Sequence, residues 1–548
     1  MPPVPVVAGS RSAEPKLPVN LTVDGRAVEI PDVGGSLLDA LRDELGLTSV
    51  KDGCSPQGQC GCCTVLVDGR ARVACVTPLR RVAGRTVTTV DGLPEDRRAA
   101  LVGAFSAHGA SQCGFCTPGI LCRLASLDDG ADVGAVESAL MAHLCRCTGW
   151  RSIVEAGVSA LVDGVTVGTD AGGSGGPARA ALEGGAAQQV GADVVLGRGG
   201  FAADTAPRGA LVAVPDGSGD WAVASTLREA RAAVGKVQGR RSGLPVRPPL
   251  EVPPGDWALT LATSWVEPAY LEPDASWAEP GGGAASPVAN GGAFGGKLDS
   301  PVVAASRMLA DRLQAPVLAM LAREDVVRLG PKRPPIAAGL RADGTGTVRV
   351  VRTPGIAASI SSVAPGLVVE EVEAAGPPTS AGIRAAGWAE AAVLLAGLRA
   401  AAGGRRDPDG TGKASVTAPP TAGGGSAEAT VSLDSSGRPV AVEVTVHAGE
   451  PLSEVTLRSY VAGAAHMALG WVMSEGIAVD DLGAPEDLTI RSWGVLRARD
   501  TPPVTVTIAG RQGPPRAVAD ATFAAVAAAT WIALGLPPTW PTSRGAPR

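Results

Sequence analysis

No cysteine follows residue 147 in this chain of 548 residues, so a disulfide framework spread along its length is excluded. The N-terminus MPPVPVVAGSRSAEPK lacks the apolar core of a secretory signal, and the expectation is reduced thiols in a cytoplasmic protein. Aromatic residues make up only 3% of the chain, which leaves Ala, Val and Leu to fill the core. Nine of the ten tryptophans nevertheless lie from Trp221 onward, as expected of a C-terminal part that folds. A basic excess is also missing: the net charge of −6 argues against nucleic acid as a partner. Nor does any apolar run approach the roughly 20 residues that would cross a membrane. Length allows two to four domains.

All ten cysteines lie between residues 54 and 147, in two groups. Cys54, Cys60, Cys63 and Cys75 form the first, and Cys113, Cys116, Cys145 and Cys147 the second. Two sets of four thiolates are what two [2Fe-2S] clusters require. Zinc also takes four thiolates, but a zinc ribbon uses two C-x2-C pairs per site, and each group here has one. The first group resembles the plant-type ferredoxin run C-x4-C-x2-C…C, with one extra residue between Cys54 and Cys60. Cys62 is left as a spare thiol and Cys122 as a small buried hydrophobe. A complete cysteine set leaves His108 and His143 no role as Rieske-type ligands.

In chain order, residues 1–16 read as a loose Pro-rich leader. Asp24-Gly25 and Asp68-Gly69 each sit between strand-like runs and predict two hairpins. Ser36 caps a helix to Leu45, with Leu37, Leu38, Leu41 and Leu45 on one face. Two hairpins on one helix suggest a β-grasp. From about Pro94 the apolar spacing turns helical: 97–108, 119–127, 133–144 and 153–162. Residues 163–189 read as a Gly/Ala linker to a separately folded region with mixed strand and helix signals. There, Gly291 to Lys297 fits G-x-x-x-x-G-K, but Leu298 stands where a nucleotide-binding loop needs Ser or Thr. Ser300 and Pro301 predict the N-cap and first residue of a helix to Leu313.

KDGCSPQGQCGCCTVLVDGRARVAC, QCGFCTPGI and HLCRCTGWRSI, in that order, resemble the iron-sulfur part of the molybdenum hydroxylases, the xanthine dehydrogenase, aldehyde oxidase and carbon monoxide dehydrogenase family. The resemblance implies an α+β multidomain fold: a β-grasp ferredoxin domain (17–92), a four-helix cluster domain (93–162), the linker (163–189) and an abbreviated molybdopterin-binding-like region (190–548). It places Gln112 and Cys147 against a molybdopterin-type molybdenum cofactor. NGGAFGGK, after LEP at Leu271 to Pro273, is similar to that family's GGGFGGK, which would set Phe294 and Gly295 beside the molybdenum. SAGIRAAGWAEAAVLLAGL is similar to the FRGFG segment and would turn Arg384 to the metal, with Ala386 where an aromatic is expected. AVADATF takes the place of GVGE, so Asp520 stands where the catalytic base would be, one methylene shorter; as a plain structural residue it would be a helix N-cap.

What this implies is electron transfer through two clusters in a xanthine-dehydrogenase-like hydroxylase acting on a purine, N-heterocycle or aldehyde. No flavin domain is found, so the expected partners are a separate FAD subunit and a full-length molybdopterin subunit. Two alternatives stay open: a chain that holds molybdenum itself, and a redox-inactive zinc module.

Overall fold

The computed structural model describes residues 16–32, 34–162, 175–235, 243–403, 410–418 and 424–542. The expected leader, save its last residue, and residues 163–174 of the expected linker lie outside these. Strands β1 (Lys16–Val23) and β2 (Arg26–Asp32) form the first hairpin, with Asp24 and Gly25 at φ 48° and 78°. Aspartate and glycine tolerate this left-handed turn, whose twist matches that of the strands it joins. β3 (Thr64–Val67) and β4 (Arg70–Val73) repeat the device around Asp68-Gly69. β5 (Thr86–Thr88) enters between the hairpins, parallel to β1 and antiparallel to β3, giving the order β2-β1-β5-β3-β4.

Helix α1 (Leu37–Asp39) runs on as a wider turn to Glu44. Ser36 Oγ accepts the Asp39 N–H at 3.2 Å while the Asp39 carboxylate accepts the Ser36 N–H at 2.8 Å. Such a reciprocal cap contributes about 1 kcal/mol, and it directs Leu37, Leu38 and Leu41 into the sheet, where all are buried. This is the expected β-grasp. Four helices follow, α2 (Glu95–Ala107), α3 (Thr117–Ala125), α4 (Val133–Ala139) and α5 (Arg151–Val162), packed through Leu101, Phe105, Ile120, Leu124, Val136 and Ile153.

Residues 175–189 of the expected linker instead begin with helix α6 (Gly176–Gly184), which has Pro177 in its first turn and Gly185 at φ 68° closing it. Arg179 on α6 is wholly buried, its guanidinium donating to the carbonyls of Glu450, Pro451 and Arg516. Beyond α6 the described residues form three sheets. The first is mixed, ordered 221–224, 211–215, 317–320, 275–278; the second is ordered 367–372, 346–351, 336–340, 259–263, 539–540; the third is ordered 411–417, 426–433, 439–447, 504–509. The long helices Trp388–Ala402, Glu454–Met473 and Ala519–Ala533 pack together and on the third sheet. Among the described residues no helix is long and apolar enough to cross a membrane.

The C-terminal region has buried clusters of its own, among them one that includes Leu259, Val393, Val461 and Trp531, and it also packs on the cysteine-bearing part. One buried cluster joins Leu21, Cys54, Phe105 and Trp150 to Phe201, Trp265, Leu271 and Trp493. Helix Val302–Leu313 forms as predicted, but Ser300 does not cap it: its hydroxyl donates to Asp274.

Candidate functional site

The loop after Cys54 curls round that residue's sulfur. The N–H groups of Gln57 and Gln59 point at Cys54 Sγ at 3.3 and 3.5 Å, that of Cys62 at Cys60 Sγ, and that of Cys75 at Cys63 Sγ. Peptide dipoles aimed at sulfur favour thiolate. Cys54 is held well below the ordinary thiol range because the Cys60 and Cys75 thiols donate to it, and Cys60 and Cys75 are pushed up in turn. Four buried thiols brought together share very little charge until a cation neutralises them.

The second set meets where the N-terminus of α3 faces the turn between α4 and α5. Cys113 and Cys147 Sγ are 3.5 Å apart. Cys145 is lowered by the thiol of Cys116, and the Thr148 hydroxyl stands 3.3 Å from Cys145 Sγ. The sulfurs thus come in pairs, Cys113 with Cys147 and Cys116 with Cys145. A [2Fe-2S] cluster needs two thiolates for each of two irons, and the four thiols gathered in each set fit that need. His143 is buried with Nε2 3.1 Å from Thr64 Oγ1. Cys122 is fully buried on α3, its thiol pushed up by burial.

The two sets adjoin through backbone. A Cβ on Gly119 would stand 2.3 Å from Gly61 O and 2.7 Å from Cys62 O, so only glycine admits that approach. The far side of the Cys113 set is the wall of a cavity of about 580 Å³, where a Cβ on Gly292 would lie 3.1 Å from Cys113 Sγ and 3.4 Å from Cys147 Sγ. Gln112, Phe294, Gly295, Arg384 and Asp520, named from four distant stretches of sequence, all line this cavity.

Gln112 donates from Nε2 to Cys147 O at 2.8 Å and to Ser459 Oγ at 3.0 Å. The Arg384 guanidinium lies over the Phe294 ring at 4.2 Å, and the Arg384 N–H donates to Phe294 O. Burial lowers Arg384 to about 10, partly offset by the charge of Asp520. Phe294, Arg384 and Ala385 all hold positive φ, 52°, 48° and 48°. Non-glycine residues in that region each cost about 1–3 kcal/mol, and such strain clusters at ligand sites. Asp520 is exposed to the cavity and sits inside the first turn of helix Ala519–Ala533; the residue before that helix is Val518, so Asp520 is not its N-cap.

That N-terminus is capped from outside. Glu183 on α6 accepts the N–H groups of Val518 and Ala519 at 3.0 and 2.9 Å and pairs with Arg179 at 3.0 Å, and burial raises its carboxyl. Glu183, Gln188 and Tyr460 line the cavity too, with Tyr460 Oη donating to Gln188 at 2.5 Å. Sequence reasoning missed all three. The one available signal was Arg179-x3-Glu183 in a run between Pro177 and Gly184-Gly185, the punctuation of a short helix. The nucleotide reading of Gly291 to Lys297 fails because Lys297 Nζ is buried and spent on Glu272 at 2.7 Å and Pro287 O at 2.9 Å.

The family model described as "2Fe-2S iron-sulfur cluster binding domain" matches residues 21–80, and that described as "[2Fe-2S] binding domain" matches 89–157. The nicotinate dehydrogenase small FeS subunit of Eubacterium barkeri is 41% identical over 143 residues, 25% of this chain and 90% of that protein. An aldehyde oxidoreductase of Megalodesulfovibrio gigas is 42% identical over 161 residues, 28% of this chain but 17% of the relative's length. In structure, the aldehyde oxidoreductase from Desulfovibrio gigas superposes with a TM-score of 0.68 at 15% identity, covering 96% of this chain and 99% of that one, a likeness of fold.

Proposed function

Because the chain belongs to the aldehyde oxidoreductase and xanthine dehydrogenase family of molybdenum hydroxylases, we propose that it conducts electrons singly from a molybdenum site at the 580 Å³ cavity outward through two [2Fe-2S] clusters. Cys113, Cys116, Cys145 and Cys147 hold the cluster nearer the cavity, and Cys54, Cys60, Cys63 and Cys75 the farther one. The observation that carries this reading is their order in space: cavity, then Gly292 against Cys113 and Cys147, then Gly119 against the Cys62 backbone. Electrons leave to a flavin on a separate subunit. That the Eubacterium barkeri relative is itself named a small subunit supports such an assembly.

The cavity also supports a molybdopterin-type group, which when bound oxidises an electron-poor carbon, of a purine, N-heterocycle or aldehyde, with oxygen from water. Gln112 and Cys147 would lie against its pterin, Phe294 and Gly295 beside its molybdenum, Arg384 would face the metal, and Asp520 would accept the proton released. Two features weaken its hold by this chain alone. Arg384 is the only cation lining the cavity among the described residues, and the paired N–H groups of Val518 and Ala519 are already taken by Glu183. A full-length molybdopterin subunit is therefore part of the proposal.

Purified chain is expected to carry about four iron and four sulfide, with two distinguishable reduced-state paramagnetic signals, of which Cys147→Ala removes one. Zinc in place of iron, or a single signal, refutes the cluster assignment. Expressed alone in a host that makes the cofactor, it is expected to hold well under one molybdenum per chain. A second reading, a self-contained hydroxylase, is favoured by the strained Phe294-Arg384-Ala385 wall. One molybdenum per chain, with hypoxanthine-driven dye reduction that Asp520→Ala abolishes, would establish that reading instead.

A further inference from the structure

Ser55 is the residue after Cys54, one peptide away at about 3.8 Å between Cα atoms. Two features of it oppose stability. Its φ is 52°, a left-handed conformation that serine adopts at a cost and glycine freely. Its hydroxyl is buried, with the residue 4% exposed, and has no hydrogen-bond partner in the polypeptide. A buried unpaired hydroxyl costs about 1–3 kcal/mol. Glycine at this position would remove both costs, so what serine adds is its hydroxyl, which finds no acceptor among the protein atoms.

The surroundings hold the backbone from which that hydroxyl projects. The Ser55 N–H donates to Asp52 Oδ1 at 2.9 Å, and Asp52 Oδ2 is held by Arg231 Nη1 and Nη2 at 3.2 and 3.3 Å. Arg231 lies on helix Leu227–Val234, far along the chain, so the C-terminal region pins the start of the cysteine loop. Residues 55–59 meanwhile wrap Cys54 Sγ, as the Gln57 and Gln59 N–H groups show.

We propose that the Ser55 hydroxyl donates a hydrogen bond to a sulfur of the cluster held by Cys54 and thereby sets its reduction potential. Ser55 is a positioning residue for electron transfer, and Asp52 and Arg231 hold it in place. Reduction adds negative charge to the cluster, and a donor aimed at sulfur stabilises that charge, so the bond raises the potential. This rests on the cluster reading of the proposed function.

The test is a potentiometric titration of the full chain, followed by paramagnetic resonance, for the parent, Ser55→Gly and Ser55→Ala. Glycine keeps the positive φ at no cost, and alanine keeps the Cβ. The signal that survives Cys147→Ala belongs to the Cys54 site. Both serine variants are expected to retain four iron and to shift that site about tenfold toward the oxidised form, about 59 mV for one electron. The other signal stays put. A proton coupling that exchanges in deuterated water and disappears in both variants is the accompanying signature. Unchanged potentials with the coupling still present overturn the proposal. A parent that binds no iron overturns the proposed function itself, a distinct outcome.

Discussion

Arg146 sits between Cys145 and Cys147, and its guanidinium meets Glu475 through two parallel bonds of 2.5 and 2.6 Å while Nε donates to Pro268 O at 3.1 Å. The two side chains are 5% and 2% exposed, so neither charge is shared with water. Glu475→Gln would leave a buried guanidinium without its counter-charge, a change that costs about 3–5 kcal/mol in comparable settings. The strain would fall on the Cys145–Cys147 turn. We therefore expect Glu475→Gln to lose visible cluster absorbance at a lower urea concentration than the parent, and to lose the Cys147-dependent signal before the other. Arg146→Met with Glu475→Leu removes both charges together and should recover most of the loss, since a buried pair replaced by apolar groups is often neutral. If Glu475→Gln bleaches within about 1 kcal/mol of the parent with both signals intact, the pair does not hold this turn and the reasoning is wrong.

Three further expectations concern other elements. Gly463→Ala should eliminate the Cys147-dependent signal, because the added Cβ would stand 1.8 Å from Cys147 O; a mid-helix Gly→Ala change otherwise stabilises by about 1 kcal/mol, so a more stable, fully clustered variant would refute the contact. His466 is fully buried, with Nε2 3.1 Å from Leu496 O, and burial lowers its pKa from 6.5 to about 3. The unfolded chain then binds one more proton between those values, so stability is intact above pH 6.5 and falls by about 1.4 kcal/mol per unit below it. His466→Gln should remove that share of the slope in urea titrations at pH 6.5 and 5, the buried His143, also lowered to about 3, keeping its own, and an unchanged slope would refute it. Glu183→Ala strands Arg179 and uncaps helix Ala519–Ala533; we expect a loss of about 3–5 kcal/mol and faster amide exchange at Val518 and Ala519, whereas unchanged exchange would show that another group caps them.

What could be read from sequence alone was local. Asp24-Gly25 and Asp68-Gly69 demand left-handed turns wherever they occur, Ser36 and Asp39 cap over four residues, and the cysteine spacing confines the first sulfur set to a loop and the hairpin after it and each half of the second to one turn. The family resemblance added Gln112, Phe294, Gly295, Arg384 and Asp520, and the fold gathers all five at one cavity. What tertiary structure alone decided lies in pairs far apart in the chain. α6 looked like linker because its Gly and Ala carry no apolar face, and it is ordered by Arg179 reaching Glu450, Pro451 and Arg516. That the region after residue 190 packs on the cysteine loops is invisible in sequence, because Arg146–Glu475, Gln57–Glu324 and Arg323 with Gly53 O leave no mark in either partner's neighbourhood. Asp520 resembled an N-cap by residue type, but the helix begins one residue before it, at Ala519, and the N–H groups of Val518 and Ala519 at that start are filled by Glu183, more than three hundred positions earlier. A hydrogen bond needs only closeness in space, and sequence encodes that closeness directly only for residues within a turn or two of each other.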